Sequence, residues 1–184
     1  VRTITQSPLS IQERLTLMWS NHFTSEMDVV NLAEYMHLQN ELLRKNIWGN
    51  FKTLVYNVTI DPAMLIYLDG WRNFKTGQRG QINENYAREL MELFTCGIFD
   101  WNGNPNYTEN DVQEAARSLS GWILGQSSKG SNYLSLKSVF LPSRWDSGSK
   151  TFLGKSGNWN TKDVIDVLFE RRSDQIAKFI AEKI

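Results

Sequence analysis

Apolar side chains recur along most of this chain at the three- and four-residue intervals that put them on one face of a helix, so helices dominate the reading. Ile11, Leu15, Met18, Trp19 and His22 share such a face in a helix predicted from Ser10 to Phe23, after Pro8 and with Ser10 as its cap. A second helix is predicted from Asp28 to Lys45, striped by Val29, Leu32, Ala33, Met36 and Leu43 with Tyr35 and Leu42 at its flanks, and Gly49 ends the stretch. Phe51, Leu54, Val55 and Val58 mark a short helix, after which Asp61 and Pro62 read as the cap and first residue of another.

Between Trp71 and Gln81 the pattern lapses into Gly77, Gly80, Arg72, Lys75 and Arg79, a solvent-facing loop. A helix is predicted from Ile82 to Gly97, followed by an Asn- and Gly-rich loop from Asp100 to Asn106. Thr108 with Asp111 three residues on forms a capping box with the shorter acid, opening a helix that Gly121 closes after Ser120. From Trp122 to Leu153 the periodicity changes to short apolar or β-branched pieces between Gly, Ser, Asn and Pro clusters. Thr161 and Ser173 are then expected to cap two final helices. The fold class is mainly α, an irregular helical bundle that allows a small β-ribbon around residues 122–153.

Composition narrows the function classes. At 184 residues, with 41% hydrophobic and 22% charged side chains, the chain suits one helical domain over residues 1–184. Its 20 basic residues balance 20 acidic ones, so no overall field draws it to nucleic acid or an anionic membrane surface. Apolar runs such as Ala63 to Leu68 fall far short of the roughly 20 residues a membrane-spanning helix needs. Cys96 is the single cysteine, without the spaced Cys and His partners of a zinc site. Neither end carries the start, cap or tail signals of a finished domain, so the chain is expected to be a fragment of a longer one, truncated at both ends.

The Ile82–Gly97 segment carries the densest candidate chemistry. Stepping about 100° per residue puts Ile82, Tyr86, Leu90, Leu93 and Gly97 on the core face, with Glu84, Arg88, Glu92 and Thr95 opposite. Arg88 is then spaced to reach both Glu84 and Glu92, the pattern of an ordinary solvated face. Glu89 sits at the edge of the core face, where a partly desolvated carboxylate calls for a partner from elsewhere in the fold. Asn83 and Asn85 can cap the helix or tie down the preceding loop.

As site residues, Glu89, Glu92, Arg88 and His22 are the catalytic candidates, with Asp146 a further partner for Glu89. Asp146 and Lys150, in the polar turn after Trp145, can hold a ligand or simply fold the turn. Trp101 and Trp159, in polar loops, are candidates for stacking on sugar rings or anchoring a protein, whereas Trp19, Trp48 and Trp122 belong with the core. His22 and His37 read first as structural histidines. No HExxH, CxxC, GxSxG or phosphate-loop pattern occurs, and the sequence names no cofactor or metal.

The run Asn83-Glu84-Asn85-Tyr86-Ala87-Arg88-Glu89-Leu90-Met91-Glu92-Leu93-Phe94-Thr95, followed by Gly97, resembles the signature of the bacterial domain-of-unknown-function family 1800. Trp19 to Phe23, Gly49 to Phe51, Asp61 to Leu65, Tyr107 to Glu109, Gly121-Trp122 and Gly148 with Lys150 to Gly154 extend the resemblance over nearly the whole chain. The chain departs from that pattern at Trp145, where a His often precedes the aspartate of the polar turn, and at Cys96, where an aliphatic residue is usual.

The resemblance implies a piece of a larger exported protein, periplasmic or extracellular, often encoded beside the sulfatase-like family 1501, which becomes a candidate envelope partner alongside glycan. Two functions are weighed on this basis. One is a binding or assembly module of the cell envelope, with the Glu/Arg helix as its ordering element. The other is a hydrolase or metal-dependent enzyme acting on an envelope glycan or ester, with Glu89 and His22 in its site.

Overall fold

The computed structural model describes residues 11–75, 77, 81–126 and 134–183, so the expected Ser10 cap, together with Arg79 and Gly80, lies outside the described residues. Helix α1 (Ile11–His22) packs on α3 (Ala33–Asn46), and Arg44 bridges the pair through Glu13 at 2.9 Å. The single helix expected from Asp28 to Lys45 is in fact two, α2 (Met27–Val30) and α3, broken at Asn31. Asn31 has a φ of 53°, a left-handed conformation that Asn tolerates better than most residues, and its N–H closes α2 on the Met27 carbonyl. The break turns Val30 and Tyr35 onto Ala63, making a small second core. Because α3 stops at Asn46, Trp48 falls out of the helical phase that pointed it inward and is 69% exposed, contrary to expectation.

Local chemistry sets the other helix starts. Asn50 accepts the Thr53 N–H at 3.2 Å and opens α4 (Phe51–Thr59). Asp61 accepts the Met64 N–H at 3.1 Å and, with Pro62, opens α5 (Pro62–Tyr67) as expected. The Thr108–Asp111 capping box starts α7 (Glu109–Ser118), and Asp111 also accepts the Leu153 N–H at 2.7 Å. Helix α8 (Thr161–Arg171) is capped by Asn160 rather than Thr161, since Asn160 reaches two N–H groups and Asp163 returns a bond to it. The Thr161 hydroxyl instead accepts the Trp122 indole N–H at 2.9 Å. Helix α9 (Ser173–Ala181) begins at Ser173 without a side-chain cap bond, so that expectation also fails.

The helix expected from Ile82 to Gly97 is shorter, α6 (Asn85–Glu92). Upstream of it Asn83 and Asn85 tie down the preceding loop, Asn83 N–H donating to Asn73 at 3.0 Å and the Asn85 amide donating to the Leu68 carbonyl at 3.3 Å. Downstream, the Phe94 N–H bonds to Glu89 O at 3.0 Å, and the N–H groups of Cys96 and Gly97 converge on Met91 O. These turns are wider than α-helical ones, so the phase is reset. Thr95, expected outside, lies past the wide turn and is buried with its hydroxyl on the Leu90 carbonyl, whereas Leu93, expected inside, still bonds Glu89 O as in an α-helix and is 48% exposed because the buried face runs through Tyr86, Ala87, Leu90 and Met91.

After Gly121, whose φ of 95° only glycine adopts without strain, β1 (Trp122–Gln126) pairs antiparallel with β2 (Leu134–Phe140), Trp122 opposite Phe140. Ser138 in β2 bonds to the Ile60 carbonyl and fastens this ribbon to the end of α4. A second hairpin, β3 (Lys150–Phe152) and β4 (Lys155–Gly157), turns at Leu153 and Gly154, both at positive φ. The protein is mainly α with this small amount of β between residues 122 and 157. Phe23, Leu54, Leu90, Met91, Val112 and Ile165, from four helices and the end of α1, meet in the main core, which Phe152 and Leu153 complete. Among the described residues no helix is long and apolar enough to cross a membrane.

Candidate functional site

Residues of α1, the end of α5, α6, α9 and the segment after it line a cavity of about 700 Å³. Leu17, Met18, Leu93 and Ile180 give it apolar walls, and Arg14, His22, Glu89 and Lys183 bring charge or proton-transfer chemistry to it. Arg14, Met18 and His22 are four residues apart along α1, so one stripe of that helix faces the cavity. The same spacing carries Glu89 and, at the end of α6, Leu93 to the cavity.

Glu89 is half-buried, and among the described residues no hydrogen bond or ion pair reaches its carboxylate. The partner expected from elsewhere in the fold is therefore not found. Burial first, and the Glu92 charge second, raise its pKa against the opposing pull of Arg88. A carboxylate in that condition can accept a cation, or hold a proton more readily than an exposed one.

His22 shares the cavity but is not free. Its Nε2 lies 3.0 Å from the Phe94 carbonyl, which can only accept, so the proton sits on Nε2 and Nδ1 is left to accept from Lys183 at 3.4 Å. Burial lowers its pKa to about 4, aided by the Lys183 charge and opposed by the Phe94 bond. Lys183 also donates to the Leu93 carbonyl at 3.1 Å and lies 4.1 Å from the Phe179 ring centre. His22 and Lys183 thus fasten the end of α6 to α1 and to the segment after α9.

The other charges of α6 are committed elsewhere. Arg88 grips Glu109 of α7 with two bonds of 2.9 and 2.6 Å and lies 3.8 Å from Glu84, so its partner across the helix face is not Glu92. Glu92 accepts from the Tyr107 hydroxyl at 3.3 Å, away from the cavity. Of the four catalytic candidates, the fold brings together Glu89 and His22 only.

The polar turn is a sealed structural joint. Arg117 of α7 holds Asp146 through two bonds of 2.8 and 3.1 Å and also binds Glu114, which keeps the Asp146 carboxyl below the usual carboxylate range. Lys150, weighed as a ligand contact or a residue that folds the turn, is only 1% exposed. Its ammonium donates to the carbonyls of Asp146, Gly148 and Trp159, and burial lowers its pKa. All three N–H bonds of Lys150 are used, so its ammonium has no donor left for a ligand, and the Asp146 carboxylate is spent on Arg117 and the Gly148 N–H. Trp145 packs its ring under that ammonium at 4.9 Å.

Trp159, expected in an open loop, is half-buried against the core and donates to the Lys155 carbonyl at 3.3 Å. Trp101 keeps its expected exposure, 54%, at a loop tip that Asp100 braces by accepting from the N–H groups of Asn102 and Asn104. Cys96 is buried and its thiol is pushed up to about 11, which leaves it unreactive. Among the described residues no three His, Cys, Asp or Glu side chains gather as a metal-ligating group.

The family model described as Protein of unknown function (DUF1800) matches residues 1–184. The chain belongs to the DUF1800 family. No curated protein and no solved structure matches it. The residues that carry the resemblance divide into two groups in this DUF1800 chain. Tyr86, Leu90, Asp61 and the polar turn build the scaffold, whereas Glu89, Trp19 and His22 border the cavity. Arg14 and Lys183 were missed by sequence reasoning. Stepping back from His22 by four residues finds Met18 and Arg14, but nothing in the sequence announces that the segment after α9 closes on α1.

Proposed function

We propose that this DUF1800 chain is a binding module of an exported bacterial envelope protein, and that the cavity bordered by α1 and α6 takes its ligand. One observation carries the reading: a half-buried carboxylate, Glu89, faces an apolar-walled cavity of about 700 Å³ with no protein partner among the described residues. A cavity of that size matches the range of roughly 300–1,000 Å³ typical of small-molecule sites. Every other buried charge in the candidate set is already paired within the protein, which makes Glu89 the position where a ligand adds an interaction rather than displacing one. The family 1501 partner and envelope glycan remain proposals at the level of the whole protein, with the exposed Trp101 loop as the surface suited to a glycan.

The test is a titration of methyl-labelled protein with 1-hexanol followed by NMR. The expected result is a saturable shift of the Leu17, Leu93 and Ile180 methyl signals, lost in Leu93→Arg. Unmoved signals at those methyls overturn the reading. A second reading, hydrolysis of a glycan or ester, is favoured by Glu89 and His22 bordering the same cavity. It requires Lys183 to leave His22 Nδ1, and it predicts turnover of nitrophenyl esters or glycosides that Glu89→Gln abolishes; turnover unchanged in that variant sinks it.

A further inference from the structure

Two opposite charges line the cavity without a hydrogen bond or ion pair among the described residues. Glu89 has no hydrogen bond or ion pair among the described residues, and the same holds for the exposed guanidinium of Arg14. The neighbouring cations that could neutralise Glu89 are already engaged. Arg88 is bound to Glu109 at 2.9 and 2.6 Å, and Lys183 is held by His22 and the Leu93 carbonyl. Leu17, Met18, Leu93 and Ile180 supply apolar wall in the same cavity as these two charges.

Resting on the cavity reading above, we propose that the ligand is an apolar zwitterion: a short peptide or amino acid whose free amine meets Glu89 and whose free carboxylate meets Arg14. A carboxylate accepts an ammonium, and a guanidinium forks onto a carboxylate, while neither ligand charge alone would answer both protein charges. The apolar side chains of such a ligand rest against the four aliphatic residues and remove them from water.

The experiment measures binding of the dipeptide Leu-Leu to the full chain by calorimetry, beside N-acetyl-Leu-Leu, Leu-Leu-amide and 1-hexanol. A charge-assisted bond of this kind is worth about tenfold or more in affinity, so each capped peptide should bind about tenfold more weakly than the free one. Glu89→Gln should erase the preference for the free amine and keep that for the free carboxylate; Arg14→Gln should do the reverse. Both variants alter side chains outside the core, and their unfolding curves check that the fold is kept. Capped and free peptides binding equally, with hexanol still bound, overturns the zwitterion and leaves the cavity reading standing. Loss of all binding, hexanol included, overturns both.

Discussion

His22 and Asp61 show how far one residue's meaning depends on what surrounds it. Asp61 is both the cap of α5 and a nearly sealed carboxylate, accepting from Gln39 at 2.9 Å and from the Met64 N–H. Burial outweighs those bonds and raises its pKa from 3.8 to about 6. The fold therefore prefers Asp61 protonated, and this stability is present below pH 3.8 and lost as pH rises through 6. His22 moves the other way, from 6.5 to about 4, so its stability is present above pH 6.5 and lost as pH falls through 4. Between pH 4 and 6 the two oppose each other. Asp61→Asn, which keeps the cap, should make the protein lose stability on acidification across that window, and His22→Gln should make it gain, each by on the order of 2 kcal/mol. Urea unfolding at a series of pH values checks this, and parallel curves for the two variants would show the assignment to be wrong.

Among the elements, α6 changes most between expectation and structure, and its wide C-terminal turn follows the residues it gives to the cavity, with the Phe94 carbonyl held on His22. Had the helix run on to Gly97, Thr95 would have faced water instead of being buried on the Leu90 carbonyl. Gly97 ends the turn at a φ of 74°, and a Cβ there would lie 3.1 Å from the Phe179 ring of α9. Gly103 has a similar φ of 80° with nothing within 4 Å. Both positions carry the backbone strain of a side chain at positive φ, about 1 kcal/mol, but only Gly97 adds the collision. Gly97→Ala is expected to destabilise by about 1–2 kcal/mol more than Gly103→Ala, read from unfolding midpoints. It should also shift the Ile180 and Leu93 signals at the cavity. Equal costs for the two variants would mean that Phe179 yields freely and that α9 does not brace the turn.

Across the whole molecule, local and periodic signals were legible where the physics is local. The capping box of Thr108 and Asp111, the Asp61-Pro62 start and the β character after Trp122 all follow from neighbouring residues, and all are present, whereas the helix expected to run to Ser120 ends at Ser118. So is the edge position of Glu89, because helical phase fixed it before the turn at Phe94 could disturb it. Breaks in phase were not legible, since Asn31 and the turn after Glu92 depend on what the following chain packs against. Nor was the fate of the polar turn. Asp146 and Lys150 look alike in sequence whether they bind a ligand or close a joint, and only Arg117, brought from a separate helix, and three converging carbonyls decide for the joint.

By itself the sequence determined the helical class, the family, most helix starts and Glu89 as the carboxylate at a core edge, because each rests on contacts a few residues apart. Tertiary structure alone decided that Glu89 stays without a partner among the described residues, that His22 spends both ring nitrogens on Phe94 and Lys183, and that Arg14 shares their cavity. Those outcomes join residues up to 161 positions apart. Nothing in the local pattern of a helix can specify which distant charge comes to lie beside it.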